Sequence, residues 1–499
     1  MTGGRVTDGV KNMDNDLKNA AGAPSAAGKQ NISTPPAVPK RILASLIASV
    51  SAGVVPRSGA PYIAIGRKEE IAAFLSDLEL VSEGGGAVRF LIGRYGSGKS
   101  FLMQLIRGYA LDRDFVCADA DLSPERRLYG TGGTGLATYR ELMKNLSVRT
   151  SPDGGGLSSI IGRLVFRVRT ELEESGADAD SDGYGALLAS AVRKKLSGLE
   201  ALVGGFDFAR VVAGWYEADA ADDSDRKSAC MRWLRGEFAN KTEAISALGF
   251  RVSEIICDSN WYDYLKLWAG LSSTVGYRGM VVFIDECVNL YKIPHRTSRE
   301  NNYEKILSIF NDTLQGRAPH LEIVFGGTPQ FLEDTRRGLF GYEALRSRLC
   351  DTRFAAEGYR NLAGPVMRLS RLSDDELLAL TVRMTALHGA YYGWEPRITP
   401  DQLKAFLEAS LGRAGAGSMM TPREMLRDLM SLLDILRQNP DAGFDDLVKT
   451  VKPAFSDATG GDPYGASGAG SEGPGGGTYS SGGAGASGKT PVDPADIDF

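Results

Sequence analysis

The stretch Val88-Arg-Phe-Leu-Ile-Gly-Arg-Tyr-Gly-Ser-Gly-Lys-Ser100 constrains this chain more than any other. Phe90 to Ile92 is a short apolar run of the kind that forms a buried strand. Gly93 to Ser100 then fits G-x-x-x-x-G-K-S, and Phe101, Leu102, Leu105 and Ile106 follow at helical spacing. Strand, glycine loop and helix in that order make a phosphate-binding loop. The residue types follow from the chemistry. Gly93, Gly96 and Gly98 let the backbone curl until its N–H groups face phosphate oxygens, and the positive end of the next helix adds to that field. Lys99 is placed to reach the β- and γ-phosphates, and Ser100 to ligate Mg²⁺. Arg94, Tyr95, Ser97 and Phe101 complete the predicted nucleotide-binding set. A plain glycine-rich turn is the bland alternative. With 61 glycines in the chain the bare pattern has roughly a few per cent chance of arising by accident, and the flanking strand and helix lower that further.

Composition narrows the context. A net charge of −5 leaves no global basic footprint, so any nucleic-acid contact must come from a local patch. Five cysteines without C-x-x-C spacing suit a reducing cytoplasm and argue against a disulfide framework or a zinc site. His295, His320 and His388 are too dispersed for a metal cluster. The first 30 residues lack a signal-peptide pattern. The longest apolar stretch, Ile42 to Val55, is broken by serines and too short to span a bilayer. The expectation is a soluble, cytoplasmic protein with no membrane contact.

Along the chain, residues 1–38 read as a disordered arm and 456–499 as a disordered Gly/Ser-rich tail. Residues 39–149 hold the phosphate loop, a second strand around Phe115 to Ala118, and a glycine cluster, Gly130 to Gly135, ahead of a helix. That cluster lacks a lysine, so a connector or partner-facing loop is favoured over a second phosphate loop. Residues 150–270 read as a helical insertion with helices at Ile160–Leu172, Tyr184–Leu202, Met231–Ala239 and Tyr262–Leu271. Within it, acidic Glu171 to Asp182 reads as a solvated linker. Residues 271–370 return to the nucleotide domain, and 371–455 form a C-terminal set of helices. The fold class is α/β, a parallel sheet with helices on both faces.

Met280-Val-Val-Phe-Ile-Asp-Glu286 is an apolar run ending in two acids. Strand carboxyl ends line the ligand crevice of such sheets. That puts Asp285 beside Mg²⁺ and lets Glu286 polarise an attacking water. A core strand that merely ends in a polar turn is the alternative. Thr328, just past the strand Leu321 to Gly327, reaches the same crevice, where a plain turn residue is almost as good a reading. Arg346 and Arg348 are two apart and cannot share one helical face, so one can pair locally while the other projects. Arginine suits spread phosphoryl charge on a neighbouring subunit. Thr421-Pro-Arg-Glu424 is a capping box. It leaves Arg423 in the first turn, an unfavourable end for a cation, which points to an external anion.

This order of motifs resembles an AAA+ P-loop ATPase, near the origin-initiator and signal-transducing branches. The resemblance implies a nucleotide-approach motif at Gly66 and Arg67, Walker A at Lys99 and Ser100, and Walker B at Asp285 and Glu286. It further implies sensor 1 at Thr328, an arginine finger at Arg348 or Arg346, sensor 2 at Arg423 and a C-terminal helical lid. Three stretches are more specific: Leu122 to Leu128 with Gly130 to Arg140, Asn301 to Leu307, and Phe325 to Gly338. They resemble the ATP-binding proteins of bacterial phage-exclusion (BREX) systems, over roughly residues 41–452. The implied function is a Mg²⁺-dependent ATPase binding ATP and ADP, assembling as a homo- or hetero-oligomer with other defence proteins on double-stranded DNA. A slow ATP-binding switch that never touches DNA is the rival. Two departures stand out: the sensor 1 position is a threonine beside two glycines, and the insertion has no counterpart in a generic AAA+ module.

Overall fold

A computed structural model describes residues 38–350, 361–413 and 420–450. The predicted arm before residue 38 and the tail from 456 lie outside the described residues. Five strands form one parallel sheet in the order β2-β3-β4-β1-β5. They are β1 (Gly86–Ile92), β2 (Val116–Asp121), β3 (Met280–Asp285), β4 (Leu321–Gly327) and β5 (Val366–Arg368). Their continuous apolar runs, Met280 to Ile284 above all, are what a sheet covered on both faces requires. The register aligns the strand ends: Ile92 pairs with Gly327, and Asp121 with Asp285.

Strand alternation sorts the side chains into two cores. Val88, Phe90, Val282, Ile284, Ile323 and Phe325 point to one face. Leu91, Cys117, Val281, Phe283 and Val324 point to the other. The second face is covered by α2 (Lys68–Ser82) and α3 (Lys99–Asp112), through Phe74, Leu78, Leu102 and Ile106. A third core joins α1 (Lys40–Ser51) to the C-terminal helices, through Leu46, Ile47, Met384, Leu429 and Leu433. Phe101 packs against both of these last two cores.

The first face carries the region between β2 and β3. It comprises α4 (Thr134–Lys144), α5 (Gly156–Glu174), α6 (Tyr184–Leu196), α7 (Gly205–Ala220), α8 (Ser224–Leu234), α9 (Lys241–Leu248) and α10 (Trp261–Thr274). Their apolar residues run into the sheet's first core without a break. Several of these helices differ from the sequence reading: α6 ends at Leu196 rather than Leu202, and α8 spans Ser224–Leu234 rather than Met231–Ala239. Helix α7 escapes the sequence reading because Phe208, Ala209, Val211, Val212, Ala213, Trp215 and Tyr216 are buried over more than half of its circumference, and so wide a buried face shows no narrow stripe. Helix α9 is short, started by the Asn240 side chain accepting from the Glu243 N–H. The acidic stretch is not all linker either: α5 continues to Glu174, and Glu171 binds Lys195 at 2.7 Å and Arg167 at 3.3 Å.

The glycine cluster before α4 is closed to an outside anion. The Asp258 carboxylate accepts from the N–H groups of Gly133 (2.7 Å) and Leu136 (2.8 Å), taking the helix N-terminus for itself. After β3 come α11 (Val288–Tyr291) and α12 (Arg296–Leu314). Beyond β4 lie α13 (Pro329–Glu333) and α14 (Glu343–Leu349). The chain continues past β5 with α15 (Asp374–Tyr392), α16 (Pro400–Arg413), α17 (Pro422–Gln438) and α18 (Phe444–Thr450). No helix among the described residues is long and apolar enough to cross a membrane.

Candidate nucleotide site

The loop between β1 and α3 turns as its glycines allow, but for two separate reasons. Gly96 and Gly98 adopt φ of 76° and 89°, the left-handed region that side chains disfavour. Gly93 is needed for space: a Cβ there would lie 2.3 Å from the Ser97 Oγ. Lys99 Nζ donates across the loop to the carbonyls of Gly93 (2.9 Å) and Arg94 (3.3 Å). Burial lowers its pKa, while Asp285 and Glu286 pull the other way. The cation therefore sits where it holds the loop in shape and faces two acids.

Those acids come from the carboxyl end of β3, which β4 separates from β1. Ser100 Oγ donates to the Asp285 carboxylate at 2.8 Å, joining residues 185 apart in sequence. A hydroxyl and a carboxylate side by side are an all-oxygen donor pair suited to Mg²⁺. The other Asp285 oxygen accepts from the Glu286 N–H at 2.8 Å. Glu286 has φ 57°, a conformation costing a non-glycine residue of order 1–3 kcal/mol and concentrated at functional sites. The Cys287 N–H is tied to the Gly326 carbonyl at 2.9 Å, so the chain doubles back and Glu286 turns into the cleft. Gly326 has no side chain because a Cβ would lie 2.3 Å from Asp285 Oδ1.

The cleft has a volume of about 270 Å³. Its polar end is Gly96 to Ser100 with Glu286, and its other end is an apolar slot of Val54, Val55, Ile63, Ile65, Leu380 and Leu426. Arg67, Tyr95, Phe101 and Arg423 also line it. Tyr95 is 77 % exposed. Arg67 is buried and already engaged: it donates to the carbonyls of Ser97 (3.0 Å) and Ser370 (2.8 Å) and pairs with Glu70 at 3.5 Å. It braces the loop against the end of β5. Gly66, at φ 72°, makes room for Glu376, whose Oε1 would lie 2.1 Å from an added Cβ. Arg423 stands in the first turn of α17 behind the capping box, with Thr421 Oγ accepting from the Glu424 N–H and Glu424 from the Thr421 N–H.

Seven predicted residues lie outside this cleft's lining: Gly66, Gly93, Arg94 and Asp285, each next in sequence or hydrogen-bonded to a lining residue, and Thr328, Arg346 and Arg348. Thr328 ends β4 and caps α13, accepting from the Phe331 N–H at 3.3 Å, which leaves its own proton to donate elsewhere. Arg346 and Arg348 are exposed on α14. Arg348 folds back to the Ala344 carbonyl (2.6 Å) and Asn311 Oδ1 (3.2 Å).

Two features escaped the sequence reading. Asp121, at the end of β2, is the register partner of Asp285. Burial raises its carboxyl pKa, and Asp285 and Glu286 raise it further, so three acids gather at neighbouring strand ends. The apolar slot draws on segments more than 300 positions apart, which no local pattern announces. The stretches at 122–128, 301–307 and 325–338 converge on α12. The buried Asn302 accepts from the N–H groups of Leu128 (3.0 Å) and Tyr129 (2.9 Å), and Tyr303 Oη donates to the Arg337 carbonyl at 2.6 Å.

A family model described as BREX system ATP-binding protein BrxC/D matches residues 38–452. No curated protein matches the sequence.

Proposed function

This chain belongs to the family of BREX system ATP-binding proteins, and from that premise we propose that it is a Mg²⁺-dependent ATPase of AAA+ type. The observation that carries the reading is the convergence at one cleft of Lys99, the Ser100–Asp285 pair at 2.8 Å and the strained Glu286. The phosphates would lie on the loop N–H groups and Lys99, and the base in the slot between Val54, Ile65 and Leu380. Ser100 and Asp285 would hold Mg²⁺, which supplies neutralisation of the phosphate charge. Glu286 accepts the proton of the attacking water. Thr328 has a proton free to orient that water or the γ-phosphate, the sensor 1 role. Arg423 faces the cleft from α17, so the C-terminal helices act as a lid that senses the nucleotide. Residues 39–149 with 271–370 form the ATPase domain, 150–270 its insertion and 371–455 the lid. ATP binding and hydrolysis would control assembly with partner proteins on DNA in phage defence, in the cytoplasm.

One observation favours a slow switch when the chain is alone: Arg348 is bonded to its own helix. A neighbour's cleft would have to draw that arginine out. The deciding experiment is Glu286→Gln. The amide keeps the shape but accepts no proton, so ADP and ATP binding should persist while turnover falls by about 10²–10⁴-fold. Wild-type turnover in this variant would remove Glu286 from the chemistry.

A further inference from the structure

The helices on the sheet's first face enclose a second cavity of about 370 Å³. Arg193 of α6, Arg210 of α7 and Arg226 of α8 converge on it, facing two carboxylates, Glu200 and Glu217. Glu217 serves twice, pairing with Arg193 and, at 3.2 Å, with Arg226. Arg210 enters no ion pair among the described residues. Its guanidinium stacks 5.0 Å from the Phe250 ring centroid, and that of Arg226 lies 5.4 Å from the same ring. Gly214 lets the ring in, since a Cβ there would lie 2.8 Å from it. The Arg226 Nε–H is buried and meets no acceptor. At the rim Phe206 is 57 % exposed.

These features are unusual for a wall that encloses nothing. Two guanidiniums on one ring repel each other, and a buried N–H without an acceptor is destabilising. An anion bridging Arg210 and Arg226 offsets that repulsion. Guanidinium forks match phosphate geometry, and an exposed aromatic beside cationic side chains is the usual platform for a base. We infer that this cavity binds a nucleotide unit, with its phosphate on Arg210 and Arg226 and its base on Phe206. The unit can come from a free mononucleotide or from a link of single-stranded nucleic acid.

The test uses the full chain carrying Lys99→Ala, so that the phosphate loop does not compete. Binding of thymidine monophosphate is measured by calorimetry, and binding of a fluorescein-labelled oligothymidylate by anisotropy over a salt series. Measurable affinity that Arg210→Glu weakens by about tenfold or more, the loss of one charge-assisted contact, supports the site. Affinity for the mononucleotide identifies a free nucleotide as the source. Affinity for the oligonucleotide alone, with a salt slope that Arg210→Glu reduces by about 0.7, identifies a strand. Arg210 is exposed, so melting should be unchanged; if Arg210→Glu unfolds the chain, Arg210→Gln and Phe206→Ala decide by the same readout. The inference is overturned if neither probe binds, or if binding is indifferent to the Arg210 and Phe206 substitutions.

Discussion

Adding one methyl group at Gly96 tests how tightly the phosphate loop is locked to the C-terminal helices. Two separate costs are expected. Gly96 has φ 76°, where an L-residue is disfavoured by about 1–2 kcal/mol. The new Cβ would also lie 2.6 Å from Thr421 Cγ2 and 3.0 Å from its Cβ, and such overpacking costs about 1–3 kcal/mol. Gly96→Ala should therefore destabilise the chain by about 2–5 kcal/mol in urea unfolding. The displaced Thr421 caps the helix bearing Arg423, so ATP affinity should fall as well. Thr421→Ser removes the colliding Cγ2 and keeps the capping hydroxyl, which serine supplies as well as threonine. In that background Gly96→Ala should recover most of the second cost and none of the first. A double-mutant cycle measures the coupling directly. If Gly96→Ala costs the same with threonine and with serine at 421, the contact between loop and cap is not what forbids a side chain at 96.

Three further outcomes follow from other parts of the structure. Lys99→Ala should abolish tight ATP binding, because Lys99 lines the cleft while Arg94, the other cation of the loop, does not; unchanged affinity in a nucleotide titration would sink the loop assignment. Arg348→Ala should bind ATP yet hydrolyse slowly, finger arginines being worth about 10³–10⁵ in rate, and mixing it with Glu286→Gln should restore part of the turnover. No gain from co-assembled mutants would move the role to Arg346. Glu322, the second residue of β4, is fully buried with both carboxylate oxygens unpartnered. Burial raises its pKa well above the ordinary 4.5; Asp77 adds to this, and Arg89 opposes it. A carboxyl whose pKa is raised on folding contributes stability below the unfolded value and loses it as pH rises through the folded one. Glu322→Met should therefore be more stable than wild type by about 1–3 kcal/mol at neutral pH, with the gap closing towards pH 4.5. Parallel pH profiles of unfolding would refute this.

The phosphate loop and the acid-ended strand were legible because each is a contiguous pattern whose chemistry fixes both residue type and spacing. Asp285 and Ser100 needed no long-range reasoning to be named, although only the fold brings them together. Arg67 was legible as a position but not as a brace, since its partners Ser97 and Ser370 are carbonyls, and carbonyls carry no sequence signal. The apolar slot was invisible for a different reason: Leu380 and Leu426 each read as ordinary core residues of their own helices, and Val54 as the tail of the Ile42–Val55 apolar stretch. Helix α7 was lost because its buried face spans more than half of the helix, which blurs the periodicity. The Gly130 cluster looked open because the carboxylate that fills it, Asp258, comes from more than 120 positions downstream.

The bond between Ser100 and Asp285 also dictates when the site can come into being. Its two ends are separated by the entire run of helices on the first face of the sheet. A nascent chain that has emerged only as far as α10 holds the glycine loop but neither of the strands that flank β2 and β1 towards the middle of the sheet. Contacts of such long sequence separation form late. The helices of 150–270 thus have their opportunity to pack before the loop meets its acids. Lesions in that region should then appear first as a shortage of assembled protein, and only secondarily as a defect in whatever molecules do mature.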